Sequence, residues 1–247
     1  MGRAIPIAQD RTQDPMNPID RQKQMAGAAA ALEIEDGMIV GLGTGSTAAH
    51  FVTALARRAE AETLTLRCVS TSRATADQAT GLGLTVIPLD DVETIDITVD
   101  GADEIGPGLS LIKGGGAALL REKLVWESSR RCIVIADAAK VVPVLGAFPL
   151  PVEVVAFGHT ATARRIGEAA RDLGLAVEPR LRTRDGAPVQ TDSGQFIYDL
   201  ACDALPDPST LASALKMITG VIYHGLFLGL ANEALVGGVN GVSRLGR

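Results

Sequence analysis

The stretch GMIVGLGTGSTAAHF, residues 37–51, is the part of this 247-residue sequence that decides the fold. A short apolar run enters a glycine-rich turn, and an alanine-rich segment with helical character follows it. A buried strand that leads through a tight turn into a helix is typical of a fold built on a parallel β-sheet. Glycines let the backbone approach an anion, and the free N–H groups of a helix N-terminus favour one. The stretch therefore predicts an α/β fold and a candidate anion-binding turn over residues 41–47.

This turn alone leaves two interpretations open. Thr44, Ser46 and Thr47 add hydroxyl donors for an anion, but Ser46 or Thr47 could equally serve only as a helix N-cap. Two well-known phosphate-binding loops do not fit. A GxGxxG loop would need glycine where Ser46 stands, and no acidic residue closes the next predicted strand. A GxxxxGK[ST] loop would need a lysine at its end, and this turn has none.

Strand and helix patterns alternate on both sides of the turn. Helices are expected over Asn17 to about Glu35, 47–61, 72–82 and 117–129, and strands over 64–70, 94–99 and 131–136. This alternation predicts βαβ units and a parallel sheet.

The composition changes near Pro143, where the sequence becomes rich in proline and glycine. The elements expected after it are a strand, a helix over about 159–173, a hairpin turn at Asp192-Ser193-Gly194, a helix from Asp207 to about Gly220 and a strand GVIYHGLF over 220–227. This βαββαβ-like order predicts a small inserted α+β domain. We therefore expect a flexible extension over 1–16, a small domain over 146–225, and a parallel-sheet domain formed by 17–145 with about 226–247.

The composition excludes several classes of protein. Hydrophobic residues make up 47% and charged residues 21%, which fits a packed globular chain rather than a disordered or fibrous one. The net charge of −6 argues against general affinity for nucleic acid. The three cysteines and three histidines are scattered, so we expect a reduced, cytoplasmic protein without a metal site. No apolar run is long enough for a membrane span, and the N-terminal residues lack the features of a signal peptide.

Charged residues follow two further predicted elements. Asp100-Gly101-Ala102-Asp103-Glu104 comes directly after a strand, so its acidic side chains are expected at the edge where open parallel sheets bind ligands. Lys113-Gly114-Gly115-Gly116 leads directly into a helix, and three glycines weaken a helix start. Such a run indicates a backbone that comes close to a ligand, with a cation beside it.

Glu122 has an unusual place in that helix. At 100° per residue it falls inside an apolar arc of Ala118, Leu119, Val125 and Trp126. A carboxylate in such an arc should be partly desolvated, which raises its pKa toward a value useful in proton transfer. In isolation it could be a rim carboxylate paired with an arginine. The catalytic interpretation depends on its expected position at the same sheet edge as the turn, the aspartates, the lysine and the glycines.

In combination these segments resemble the type A ribose-5-phosphate isomerase family, over nearly the whole chain from about Lys23. The motifs that carry the resemblance are GLGTGSTAAHF (41–51), VDGADEI (99–105), KGGGAALLREK (113–123), IADAAK (135–140) and FPLPVEV (148–154). The resemblance implies a Rossmann-like domain with a smaller ferredoxin-like α+β domain, in a homodimer or homotetramer without a cofactor. It implies that ribose 5-phosphate and ribulose 5-phosphate are interconverted through an enediol(ate), a step of the non-oxidative pentose phosphate pathway.

The resemblance also implies roles for individual residues. Glu122 would be the base that moves a proton between C2 and C1 of the sugar. Asp100 and Asp103 would bind sugar hydroxyls and assist ring opening or proton transfer between oxygens. Lys113 would stabilise the developing oxyanion. The other residues expected in the substrate site are Lys23, Thr44, Gly45, Ser46, Thr47, Gly101, Ala102, Gly114, Gly115, Gly116 and Lys140.

Three other functions stay open on the residues alone. A CoA-transferase would use Glu122 as a nucleophile and form a thioester with CoA. A sugar-phosphate-sensing regulator would need no buried glutamate, and no DNA-binding helix-turn-helix or basic patch is visible. A metal-dependent isomerase would use Asp100, Asp103 and Glu104 as oxygen ligands.

Overall fold

A computed structural model describes residues 17–246, so the extension predicted for residues 1–16 lies outside the described residues. The helices are α1 Pro18–Ala31, α2 Ser46–Glu62, α3 Arg73–Gly81, α4 Leu119–Glu127, α5 His159–Asp172 and α6 Pro208–Lys216. The strands are β1 Ile39–Leu42, β2 Arg67–Ser70, β3 Thr85–Val86, β4 Ile95–Gly101, β5 Glu104–Ile105, β6 Leu111–Ile112, β7 Ser129–Asp137, β8 Leu150–Val154, β9 Arg180–Leu181, β10 Thr183–Arg184, β11 Ala187–Pro188, β12 Phe196–Leu200, β13 Val221–His224, β14 Leu226–Phe227, β15 Glu233–Gly238 and β16 Gly241–Gly246.

A seven-stranded sheet forms the centre of the molecule. Its strand order is β16-β15-β7-β4-β1-β2-β3, and neighbouring strands are parallel except for the edge pair of β15 and β16. The six parallel strands follow the order of doubly wound Rossmann-type sheets, so the predicted α/β class is confirmed. The direction of winding reverses between β1 and β4, which lie side by side with Leu42 opposite Val99. The turns after these two strands are therefore neighbours.

The sheet is buried on both faces. Along β7, Ile133 and Ile135 join one apolar cluster, to which α1 and α2 contribute Ala30, Phe51 and Leu55 among others. The alternate residues of β7 (Cys132, Val134 and Ala136) join a second cluster that contains Trp126 and Phe227. Successive side chains of a strand point to opposite faces of the sheet. Helices α1 and α2 therefore cover β7 on one face, and α4 together with β14 covers it on the other.

A separate antiparallel sheet has the order β13-β8-β12-β9. In chain order these strands are the fourth, first, third and second of the unit, with α5 and α6 between them. This is the arrangement of a ferredoxin-like unit, as predicted. Ile166 of α5 and Leu211 of α6 pack with Val152 in its core. The boundaries of the two predicted domains stay a prediction.

The predicted strand GVIYHGLF is wrong, because Gly225 divides it between two sheets. β13 pairs with β8, whereas β14 pairs with β6 in a three-stranded sheet of order β14-β6-β5. A Cβ on Gly225 would lie 2.1 Å from the carbonyl oxygen of Lys113, so only glycine fits at this crossing.

Other predicted boundaries shift as well. The first arm of the hairpin around Asp192 is reduced to a single bridge between Gln190 and Phe196. Helix α6 ends at Lys216 rather than near Gly220. Helix α1 ends at Ala31 rather than near Glu35. Arg58 Nη1 donates to the carbonyl oxygens of Ala31 and Ile34, at 2.6 Å each. A cationic side chain that takes up the last carbonyls of a helix stabilises its end.

Candidate active site

The turn after β1 lies directly against the aspartate near the end of β4. The backbone N–H of Thr44 donates to Asp100 Oδ1 over 3.0 Å, and a Cβ on Gly43 would lie 2.1 Å from the same oxygen. Only glycine therefore fits at position 43, because the Asp100 side chain leaves no room for a Cβ. Gly45 has a φ of +109°, and α2 begins at the next residue. The glycines of this turn thus place the N-terminus of α2 beside the Asp100 carboxylate, near the end of β4.

The hydroxyl of Thr44 forms hydrogen bonds within the protein, although it was expected to bind an anion. Its Oγ1 lies 2.6 Å from Thr71 Oγ1 and 2.9 Å from Ser72 Oγ, in a cluster that also contains Thr75. Ser72 is the N-cap of α3 and accepts from the backbone N–H of Thr75. The hydroxyl groups of Thr71 and Ser72 therefore have a structural role. The Thr44 hydroxyl is hydrogen-bonded to them and is not available to an anion.

Lys113 lies at the centre of a buried charged cluster and is 2% exposed. Its Nζ donates to the carbonyl oxygen of Gly101 over 2.5 Å and lies 3.0 Å from Asp100 Oδ2 and 3.4 Å from Glu122 Oε1. Burial lowers the pKa of Lys113, but the charges of Asp100 and Glu122 outweigh that effect, so the pKa is raised above its usual value. Lys113 is thus an ammonium group held between two carboxyl groups.

Asp100 lies behind Lys113 and is fully buried. Its Oδ1 accepts from the backbone N–H groups of Thr44 and Gly101, and its Oδ2 accepts from Lys113 Nζ and Trp126 Nε1. Four donors occupy this carboxylate. The direct contact with sugar hydroxyls that was expected for Asp100 therefore does not fit the geometry, which instead makes it a support for Lys113.

Glu122 lies in the first turn of α4 and is 4% exposed, so the desolvation predicted for it is confirmed. Burial raises the pKa of Glu122 to about 8, and the positive charge of Lys113 offsets part of that effect. Its Oε2 accepts no hydrogen bond from residues 17–246. A carboxyl group with one oxygen free and a pKa near neutrality is suited to proton transfer.

An open cleft with an empty volume of about 500 Å³ joins these groups. It is lined by Lys23, Thr44, Gly45, Ser46, Thr47, Gly101, Ala102, Asp103, Lys113, Gly114, Gly115, Gly116, Glu122 and Lys140. Every residue predicted for the site lines this cleft except Asp100, which lies directly behind Lys113.

Two further lysines give the cleft a positive part. Lys23 Nζ donates to Ser46 Oγ over 3.0 Å, and half-buried Lys140 lines the same cleft. The N-terminus of α2 begins at Ser46 and contributes backbone N–H groups with a favourable dipole. A phosphate group matches this combination, although the chain as a whole is acidic.

The glycine run is held from two sides. Asp103 Oδ2 accepts from the backbone N–H of Gly115 over 2.8 Å. From the four-stranded sheet, Arg182 Nη1 donates to the carbonyl oxygens of Gly114 and Gly115 over 2.7 and 3.2 Å. Asp199 accepts from Arg182 in a two-point pair at 2.5 and 2.8 Å. Sequence analysis missed this arginine, because nearly seventy residues separate it from the glycines and no local pattern marks it.

Lys123 is a second buried lysine of α4 and its surroundings. It is 4% exposed, its Nζ donates to the carbonyl oxygen of Leu226 over 2.9 Å, and the Phe227 ring centre lies 3.8 Å away. Burial lowers the pKa of Lys123 to about 7. It lies outside the cleft and joins α4 to β14.

The three acidic residues considered as metal ligands do not converge. The carboxylate of Glu104 accepts from the backbone N–H groups of Gly146 and Phe148 at 2.7 and 2.6 Å. Within 17–246, no group of three or more histidine, cysteine, aspartate or glutamate side chains is arranged to hold a metal ion. None of the helices described here is both long enough and apolar enough to cross a membrane.

Comparisons with known proteins give one consistent result. A family model described as Ribose 5-phosphate isomerase A (phosphoriboisomerase A) matches residues 67–241. The chain is 62% identical to Ribose-5-phosphate isomerase A of Caulobacter vibrioides over 92% of this chain and 98% of that protein. It is 51% identical to the protein of the same name from Parvibaculum lavamentivorans over 90% of this chain and 96% of that one.

Solved structures agree with the sequence relatives. Ribose 5-phosphate isomerase A from Methanocaldococcus jannaschii has a TM-score of 0.86 at 34% identity, covering 92% of this chain and 99% of that one. A D-ribose-5-phosphate isomerase in complex with phospho-erythronic acid has a TM-score of 0.86 at 36% identity, covering 94% of this chain and 100% of that one. Each likeness covers more than nine tenths of this chain.

Proposed function

Because this chain belongs to the ribose 5-phosphate isomerase A family, we infer that its cleft interconverts ribose 5-phosphate and ribulose 5-phosphate, with Glu122 as the base. The observation that carries the assignment of the base is the geometry of Glu122. It is buried, one oxygen has no hydrogen-bond partner among residues 17–246, and the Lys113 ammonium lies 3.4 Å from the other oxygen. An aldose–ketose shift needs a base for carbon and a cation for oxygen, and this pair supplies both.

The phosphate of the sugar is assigned to the positive part of the cleft. Ser46 and Thr47 begin α2, and Lys23 and Lys140 line the same part. Binding of the phosphate there fixes the sugar chain along the glycine run 114–116 and brings C1 and C2 toward Glu122. Contacts with the non-reacting phosphate thereby provide the orientation that the reacting carbons need.

The reaction itself is a proton transfer within the open-chain sugar. The Glu122 carboxylate takes the proton from C2, and the electrons of that C–H bond form a C1–C2 double bond while negative charge develops on O1. Lys113 stabilises this oxyanion. A proton moves from O2 to O1, and Glu122 returns its proton to C1, which leaves the carbonyl at C2. One carbon is reduced and its neighbour oxidised, so the reaction balances without an external oxidant or reductant.

The two aspartates have different roles in this proposal. Asp103 lines the cleft, so it can accept from a sugar hydroxyl and assist ring opening or the transfer between O2 and O1. Asp100 is fully buried behind Lys113 and keeps the ammonium in place. The homodimer or homotetramer and the cytoplasmic location stay predictions.

A direct assay tests the proposal. Purified protein is incubated with ribose 5-phosphate in excess EDTA, and ribulose 5-phosphate is measured with a coupled enzyme. Full activity in EDTA is expected, and activity that depends on added metal would favour the metal-dependent isomerase. Incubation with acyl-CoA followed by mass spectrometry should show no thioester at Glu122. A CoA adduct at that residue, without isomerase activity, would replace the proposal by acyl transfer.

A further inference from the structure

Trp126 lies behind the catalytic cluster, on the helix that carries Glu122. It is the only tryptophan of the chain and is 1% exposed. Its indole Nε1–H donates to Asp100 Oδ2 over 3.2 Å. We propose that Trp126 is a positioning residue, whose indole N–H fixes the Asp100 carboxylate and thereby keeps the Lys113 ammonium within reach of Glu122. The inference rests on the proposed function of this cleft.

The hydrogen bonds of Asp100 show why one neutral donor matters. Oδ1 is occupied by two backbone N–H groups, whereas Oδ2 is shared between Lys113 Nζ and the indole. Without the indole N–H, Lys113 would be the only donor to Oδ2 in the described part of the chain. A buried carboxylate oxygen that loses a donor draws more strongly on the donor that remains. The ammonium would therefore shift from Glu122 toward Asp100.

The surroundings of the indole fix the direction of its N–H. Phe227 packs against the Trp126 ring edge to face, with centroids 5.5 Å apart and planes at 84°. Lys113 Nζ lies 5.5 Å from the Trp126 centroid and 5.4 Å from the Phe227 centroid. Lys123 Nζ lies 3.8 Å from the centre of the Phe227 ring. The Phe227 ring and the Lys113 ammonium thus restrict the indole to one orientation, which is the requirement for a positioning group.

The expected consequence appears in the pH dependence of the reaction. Burial raises the pKa of Glu122, and Lys113 lowers it in part. A shift of Nζ toward Asp100 weakens that second effect, so the pKa of Glu122 rises further. The other titratable groups around this cluster are Asp103, Lys123 and the buried thiol of Cys132, and none of them accepts from the indole.

The single tryptophan permits a test confined to this N–H. Growth on β-(3-benzothienyl)alanine in place of tryptophan exchanges Trp126 alone and keeps the ring shape while removing the donor. Trp126→Phe is the second variant. For both and for the wild type, kcat and KM with ribose 5-phosphate, the pH profile of kcat/KM and the thermal melting midpoint are measured.

We expect the benzothienyl protein to fold with a thermal melting midpoint close to that of the wild type. Its kcat should fall about tenfold or more with little change in KM. The acid limb of its pH profile of kcat/KM should move to higher pH. Wild-type kcat and an unmoved profile in that protein would overturn the inference, even if Trp126→Phe were slow. A fall in kcat that only matches a lost folded fraction would overturn it as well. A wild-type protein that does not isomerise ribose 5-phosphate would instead overturn the proposed function.

Discussion

At the scale of single residues, Glu122 combines burial with a free oxygen, and both can be tested by one substitution. Glu122→Gln keeps the shape of the side chain but removes the basic oxygen, so turnover should fall about 10²–10⁴-fold. Substrate affinity should stay close to wild type, because the phosphate contacts are elsewhere in the cleft. The measurement is a coupled assay together with calorimetric binding of ribose 5-phosphate. A folded variant with near-normal turnover would remove Glu122 from the mechanism.

The raised pKa of Glu122 also predicts how rate and stability change with pH. Activity should rise with pH and reach its plateau well above the ordinary glutamate value of about 4.3, because only the deprotonated group is a base. The folded state holds this proton at a higher pH than the unfolded chain does. The free energy of unfolding contributed by Glu122 therefore falls as pH rises toward about 8. The melting midpoint of Glu122→Gln relative to wild type should accordingly increase from about pH 5 to about pH 9, and a constant difference would contradict the shift.

At the scale of elements, the strand–turn–helix unit of β1 and α2 depends on close approach at Gly43. A Cβ there would lie 2.1 Å from Asp100 Oδ1 and 2.5 Å from Asp100 Cα, so the backbone must move. Gly43→Ala should lower kcat/KM by about 10²-fold and destabilise the fold by about 1–3 kcal/mol. Gly81→Ala is the matched control, because a Cβ at that position meets nothing within 4 Å. Kinetics and thermal melts of both variants decide the matter, and equal behaviour of the two would contradict the role of Gly43.

Elements with a strong local pattern were predictable from the sequence, and those made by distant contacts were not. The strand–turn–helix of 37–51 and the inward position of Glu122 follow from apolar periodicity, which the fold preserves. The division of GVIYHGLF at Gly225 depends on the carbonyl of Lys113, more than a hundred residues away in the chain. The full burial of Asp100 depends in the same way on Trp126 and Lys113. Neither contact leaves a local signal.

At the scale of the whole molecule, the four-stranded sheet supports a cleft that belongs to the seven-stranded one. Arg182 reaches from the end of β9 to the carbonyl oxygens of Gly114 and Gly115, and Asp199 on β12 holds its guanidinium. Bidentate pairing with the carboxylate fixes the direction of the remaining N–H groups. The small sheet therefore supplies part of the support of the glycine run, together with Asp103, although Arg182 does not line the cleft.

Replacing this arginine tests whether the small sheet contributes to catalysis. Arg182→Met removes the guanidinium donor from both carbonyls, although the Gly114 oxygen still accepts from the backbone N–H of Ala117. The glycine run should therefore loosen and kcat/KM should fall about tenfold or more. Arg182→Lys should recover only part of the loss, because a single ammonium cannot hold Asp199 by two hydrogen bonds and also reach the carbonyls. Arg184→Met is the matched control, since Arg184 is exposed and has no ion pair within residues 17–246. Steady-state kinetics of the three variants, with melting midpoints to confirm folding, give the answer. If Arg182→Met had the same kcat/KM as Arg184→Met, the hydrogen bonds from Arg182 to the glycine run would make no contribution to catalysis.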